Sequence, residues 1–366
     1  MRTIIIITHC FRGKIDGEVM TNIQIEQTAK RENGHPLAKK RKLTIILLPI
    51  LLIVCSIASL MIGQVNFSVS EAISGIFVND DSLARKIVWD VRFPRVVIGI
   101  IVGMCLGAAG AILQGIMQNP LADPGVIGVT SGAGIMAVFI MVVFPGYIML
   151  LPLGAFLGAF VAAMVVYVLS WKKGTSPTRI ILVGVAINAI AGAGTNTLMI
   201  IYSDRVQSVL PWLSGGITGV GWAHVEMIGI YALIALVICL FAIRHIRIMR
   251  LGDEMAKLLG HNVEASRLFL IVLSTLLAGI AVSVAGLVGF VGLVVPHILR
   301  LIIGGEYKYL LPASAIGGGL LVVVADTIAR TAFNPIEIPV GILLAFIGGP
   351  YFLYLIHRKG NNIASN

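Results

Sequence analysis

The sequence predicts an all-α integral membrane protein of about ten transmembrane helices. Three observations carry that expectation. Apolar residues fill 58% of the 366 positions and charged residues only 12%, about half the charged share of soluble domains, and mean hydropathy is +0.98. Apolar runs approaching the roughly 20 residues needed to cross a bilayer recur along the chain. Short basic clusters at 39–42, 172–173, 244–250 and 358–359 punctuate those runs, the pattern that sets topology in the membrane. That placement assigns the net charge of +10 to topology and not to nucleic acid.

Residues 1–42 read as a polar, disordered cytoplasmic leader. Its apolar run at 4–7 is too short for a signal-peptide core. Met20 opens a more ordinary polar leader ending in Lys39, Lys40, Arg41 and Lys42, so it is the expected start. Spans are expected at 43–63, 94–116, 125–144, 149–170, 178–201, 226–243, 267–289, 291–303, 310–331 and 338–357, with 43–357 as the transmembrane domain and 358–366 as a cytoplasmic tail. The eighth is short for a crossing and reads as a half-helix buried among neighbours. With the leader inside, alternation puts the loops at 171–177, 244–266 and 304–309 and the C-terminus inside too. Only Arg85, Lys86, Arg92, Arg95, Arg205 and Arg330 then fall outside. An odd number of spans would expel Arg358 and Lys359, so ten fits best.

Shifting the second span by 176 residues superposes Gly103 on Gly279, Ala109 and Gly110 on Ala285 and Gly286, and Pro120 on Pro296. The two spans run in opposite directions, which predicts an inverted internal repeat. In the second span Gly99, Gly103, Gly107, Ala111 and Gly115 share one helical face and read as a close-packing stripe. The four cysteines, Cys10, Cys55, Cys105 and Cys239, have no metal-ligand spacing and read as small buried side chains.

Ionisable residues inside spans mark ion pathways, and here they are few. His297 follows Pro296; Asp326 and Arg330, four apart in the ninth span, share a face and are expected to pair. No span carries the spaced acids and histidines of a proton relay. The chain also lacks a G-x-x-x-x-G-K-[ST] phosphate loop, so an ATP-driven process would need a separate ATPase. The loop at 244–266 offers that ATPase a contact. Its centre, Leu251 to Gly260, reads as a short helix between glycines with Met255, Leu258 and Leu259 on one apolar face. Such a face either lies on lipid or fills a partner's groove, which is the favoured reading. On the outer side Arg92 and Arg95 flank Pro94 after Trp89. They read either as interfacial anchors or as a cationic pad for an acidic partner.

Taken in order, Arg92-Phe-Pro-Arg95, Gln118 to Gly128, Leu251 to Gly260, Gly289 to Arg300, Ala325 to Arg330 and Glu337 to Gly341 resemble the FecCD-type permeases, the family of the vitamin B12, siderophore and haem importers. The resemblance covers about residues 43–357. It implies a vitamin B12 importer permease-like fold in a bacterial cytoplasmic membrane with both termini inside. It implies a second permease subunit, identical or paralogous, two cytoplasmic ATP-binding subunits and an extracytoplasmic solute-binding protein. By resemblance, Arg92, Arg95 and Arg330 meet acids on the binding protein. Gly252, Glu254, Met255, Ala256, Leu258, Leu259 and Gly260 belong to the segment that couples to the ATPase. No catalytic residue, cofactor or resident metal is implied in the chain itself. Iron(III)-siderophore is the leading cargo, with cobalamin and haem as alternatives. An ion-coupled secondary carrier is the alternative from another class, and it would need the coupling carboxylates that the spans lack.

Overall fold

The computed structural model describes residues 37–78, 82–172, 174–333 and 336–363. The run at 4–7, Cys10, Met20, Lys173 and the side chains of Arg358 and Lys359 lie outside the described residues. Helices account for the architecture. In chain order they are α1 (Leu37–Met61), α2 (Val69–Phe77), α3 (Leu83–Ile87), α4 (Phe93–Ile116), α5 (Val129–Val143), α6 (Leu151–Leu169), α7 (Pro177–Ile201), α8 (Val206–Leu213), α9 (Trp222–Met249), α10 (Asp253–Leu258), α11 (Val263–Ala285), α12 (Val291–Ile303), α13 (Tyr307–Thr331) and α14 (Val340–Ile363). Among the described residues, seven helices are long and apolar enough to cross a membrane: α1, α3 continuing into α4, α6 with the turn before it, α7, α9, α11 and α13. The shorter apolar helices α5, α12 and α14 fill the remaining three expected positions.

The bundle is built around α4. Pro94 lies in its first turn, directly after the π-helical turn that carries the chain in from α3, and the Trp89 carbonyl of that turn accepts from the Trp222 indole. The stripe of small residues then lets other backbones approach. A Cβ on Gly103 would overlap the Gly318 carbonyl, one on Gly107 the Ser314 carbonyl, and one on neighbouring Gly110 the Gly292 carbonyl. Helices α13 and α12 therefore contact α4 backbone to backbone, with dispersion and not hydrophobic transfer as the attraction. Helices α9 and α11 close the other sides. The two spans superposed by the 176-residue shift, α4 and α11, are the most buried of the long helices and pack on each other.

Several boundaries differ from expectation. Helix α1 starts at Leu37, so Lys39 to Lys42 form its first turns and are not part of an unstructured leader. Helix α9 runs past the expected 243 to Met249 because the basic cluster sits at its C-terminal end, where the helix dipole favours cations. Helix α5 begins at Val129, after a 3₁₀ turn over Pro124–Ile127 and Gly128 in the left-handed region. Helix α12 is short, as expected, and is buried through Val291, Gly292, Val295, Pro296 and Leu299.

The loops sort to two ends. Arg41 ion-pairs with Glu306 at 2.7 Å and Arg247 pairs with the same carboxylate at 3.1 Å. Arg250 donates to the Gly305 carbonyl, and Gln118 to the Met249 carbonyl. These contacts gather the starts and loops near 41, 118, 247–250 and 305 at one end. At the other end Arg92 reaches the carbonyls of Leu60, Met61 and Val65, and Arg205 that of Val142. The placement of these ends follows the expected alternation.

Candidate functional sites at the two ends of the bundle

Three arginines meet at one end. Arg92 closes a π-helical turn, Val88–Arg92, that joins α3 to α4. The extra residue in that turn swings its guanidinium back to α1, where Nη1 donates to Leu60 O at 2.7 Å and Nη2 to Val65 O at 2.5 Å. A Cβ on Gly63 would overlap this guanidinium and displace it from the α1 carbonyls. Arg95 lies one turn on. Its Nε and Nη2 grip Asp326, at 3.0 and 2.9 Å, and Nη1 donates to Glu337 at 2.9 Å. Arg330 donates to the carbonyl and hydroxyl of Ser59 on α1.

The expected pairing of Asp326 with Arg330 is therefore corrected. Asp326 faces α4, where the planar fork of Arg95 can bind both its oxygens, and Arg330 turns to α1. All three arginines are buried, with 5–7% of their surface exposed. They are not the open pad that the sequence suggests. Arg95 is paired with two carboxylates, whereas Arg92 and Arg330 donate to carbonyl and hydroxyl oxygens, so the cluster of three arginines, Asp326 and Glu337 keeps a net positive charge. Beside them an aromatic cluster forms: Trp89 stacks on Phe93 at 5.4 Å, Trp222 lies 4.9 Å from Trp89, and the Arg85 guanidinium covers Trp89 at 4.4 Å. Such a cluster suits a bilayer interface.

The opposite end carries the 251–260 segment. Gly252 and Gly260 have φ of +90° and +73° with no atom crowding either, so the backbone conformation alone favours glycine there. Between them α10 buries only Ala256 against the bundle. Met255, Leu258 and Leu259 stand exposed, Leu258 at 82%, and Glu254 is exposed beside them. The short helix thus presents the apolar face that its spacing predicts.

Beneath α10 lies a cluster that sequence reasoning missed. Arg267, in the first turns of α11, is 1% exposed. Its Nη2 donates to both oxygens of Asp253 at 2.7 and 2.8 Å. Its Nη1 donates to Thr175 O at 2.6 Å and Thr175 Oγ1 at 3.0 Å. Glu264 completes the group, accepting from the Thr175 hydroxyl at 2.8 Å. The available signal was an arginine at the mouth of an apolar span, which sequence alone does not separate from a boundary residue. Nearby, Ser266 Oγ lies 2.7 Å from His261 Nε2 and 3.0 Å from His245 Nδ1.

Nothing in these clusters arranges a nucleophile or a base around a cavity; no group of three metal-ligating residues occurs among the described residues. The arrangement suits contact, at both ends, with other molecules.

The comparisons agree in kind. Residues 51–358 match the model of the FecCD transport family. The chain is 40% identical over 319 residues to the Fe(3+)-citrate import system permease protein YfmE of Bacillus subtilis (strain 168), covering 87% of this chain and 96% of that one. It is 38% identical to the hemin transport system permease protein HmuU of Yersinia pestis, over 85% and 94%. It is 39% identical to the cobalamin import system permease protein BtuC of Halobacterium salinarum, over 75% and 74%. Among solved structures, a metal-chelate type ABC transporter chain in an inward-facing conformation aligns with TM-score 0.77 and 29% identity, over 86% of this chain and 98% of that one.

Proposed function

The chain belongs to the FecCD transport family, and from that premise we propose that it is the permease subunit of an ATP-binding-cassette importer that carries an iron(III)-siderophore or similar iron chelate across the bacterial cytoplasmic membrane by alternating access. It is a multi-pass membrane protein of a transporter family and not a catalytic enzyme. The observation that carries the proposal is the exposed apolar face of α10. On a loop facing water, three large apolar side chains held out by a buried scaffold fit a groove on a partner. With no phosphate loop in the chain, that partner is the ATPase. Iron chelate is preferred as cargo because relatives from Bacillus subtilis at 40% and 42% identity are named for Fe(3+)-citrate and siderophore transport.

Two further features support the assembly. The outward face of α7 carries Asn196 and Thr197 among apolar residues, and both are exposed. The Thr197 hydroxyl is satisfied by the Ala193 carbonyl of its own helix, so the cost against lipid falls on the Asn196 amide, and both residues remain polar contacts for a partner. They fit a second permease subunit, identical or paralogous, with an aqueous pathway between the two. At the other end, the fields of Arg92 and Arg330 would attract an acidic extracytoplasmic binding protein, acting on encounter rate and orientation. Burial makes this a longer-range role than direct pairing.

The test is uptake. A strain lacking the gene should lose accumulation of labelled ferric citrate or ferric siderophores, and the gene in trans should restore it. Restoration of cobalamin or haem uptake, with none of iron chelates, would replace the cargo. Restoration of none would remove the importer reading.

A further inference from the structure

Arg267 joins three segments that no helix connects. Through Asp253 it holds the first residue of α10. Through its own backbone it belongs to α11. Through Thr175 it holds the residue that precedes the N-cap of α7, Ser176. Thr175 is itself 4% exposed and is gripped a second time, its N–H and hydroxyl donating to Glu264 on α11. Arg267 is among the largest fully buried side chains of the molecule.

We infer that Arg267 is the joint that makes α10, the start of α11 and the start of α7 move as one body, so that displacement of α10 by its ATPase is delivered to α7. The inference rests on the reading of α10 as the ATPase-docking helix and of α7 as a wall of the pathway. The geometry supports a joint and not a mere filler. α10 itself buries only Ala256, so apolar packing holds it weakly to the bundle. A planar fork that binds Asp253 with one nitrogen and Thr175 with another fixes direction as well as distance. A partner that pulls on Met255, Leu258 and Leu259 therefore pulls on the 175–177 corner as well. Arg267 is a positioning residue; it touches neither the ATPase nor the cargo.

The test uses the complete complex of permease, ATPase and binding protein. Arg267→Gln should leave ATPase co-purification intact, because the apolar face of α10 is unchanged, while ATP hydrolysed per chelate imported rises several-fold. A second readout is insensitive to activity. Spin labels at Lys257→Cys and Thr178→Cys, with the native cysteines replaced, should give one narrow distance distribution in both nucleotide-free and nucleotide-trapped states. Arg267→Gln should broaden it. If Arg267→Gln does not fold, Arg267→Lys decides, since one ammonium cannot span Asp253 and Thr175 together. Partial uncoupling by the lysine supports the joint. Normal ATP cost with a narrow distribution in either variant overturns it. Failure of the parent reading looks different: the unaltered chain then brings down no ATPase, and the inference falls with it.

Discussion

At the scale of single residues, Arg95 is the most heavily paired cation at its end of the bundle. It ties α4 to α13 through Asp326 and to the segment before α14 through Glu337. Removing one partner of a buried pair strands the other, at a cost of about 3–5 kcal/mol. Arg95→Ala should therefore lower thermal stability in detergent sharply. Arg95→Gln with Asp326→Asn should recover part of it, because only the partly exposed Glu337 then lacks its cation. An Arg95→Ala protein that melts like the wild type would show that Asp326 finds other partners. Arg92 and Arg330 test the field instead. Single exposed ion pairs contribute about 0.2–1 kcal/mol, and buried cations acting at a distance should do no more. Arg330→Gln should slow binding-protein association modestly and flatten its dependence on salt, read by stopped flow at several ionic strengths. Unchanged rates and slopes would confine Arg330 to holding α1 in place.

At the scale of elements, the glycine stripe of α4 and the helix α10 make opposite predictions. Gly103→Ala and Gly110→Ala each put a methyl into a facing carbonyl, so both should reduce folded yield and melting temperature. Gly229→Ala in α9, where no atom lies within 4 Å of the added carbon, should be neutral or slightly stabilising, since alanine is favoured over glycine in helices by about 1 kcal/mol. Equal behaviour of the three would contradict the close approach of α4 to α12 and α13. On α10, burying a leucine side chain is worth about 1.5–3 kcal/mol. Leu258→Glu should release the ATPase while the bundle melts normally. Normal ATPase stoichiometry in Leu258→Glu would leave α10 lying on lipid.

What was legible in the sequence follows from the range of the forces involved. Hydropathy and spacing act locally, so the apolar runs, the short α12 and the apolar face at Met255, Leu258 and Leu259 could be read directly. The small-residue stripe revealed one face of α4 but not which helix met it. Side-chain partners between distant helices left no local trace. Spacing alone assigns Asp326 to Arg330, four residues away. Tertiary packing gave it to Arg95, 231 positions off. Arg267 looked like the edge of a span because its partners, Thr175 and Asp253, come from two different loops. Helix α2 went unread although Ser68 and Glu71 form a capping box at its start, three residues apart as such boxes require.

At the scale of the whole molecule, the bundle has an exposed apolar face on α10 at one end, three buried arginines at the other and an exposed polar patch on α7. That distribution is the one expected of a subunit that works with partners, as proposed above. The chain carries no phosphate loop to bind ATP and no spaced series of membrane carboxylates to couple an ion gradient. Its transport activity should therefore be borrowed entirely from partners. The decisive measurement is accumulation of labelled ferric chelate in proteoliposomes, made with the purified chain alone and with its ATPase and binding protein added. The account predicts no accumulation by the chain alone under a pH or sodium gradient, and ATP-dependent accumulation once both partners are present. Gradient-driven accumulation by the chain alone would contradict it.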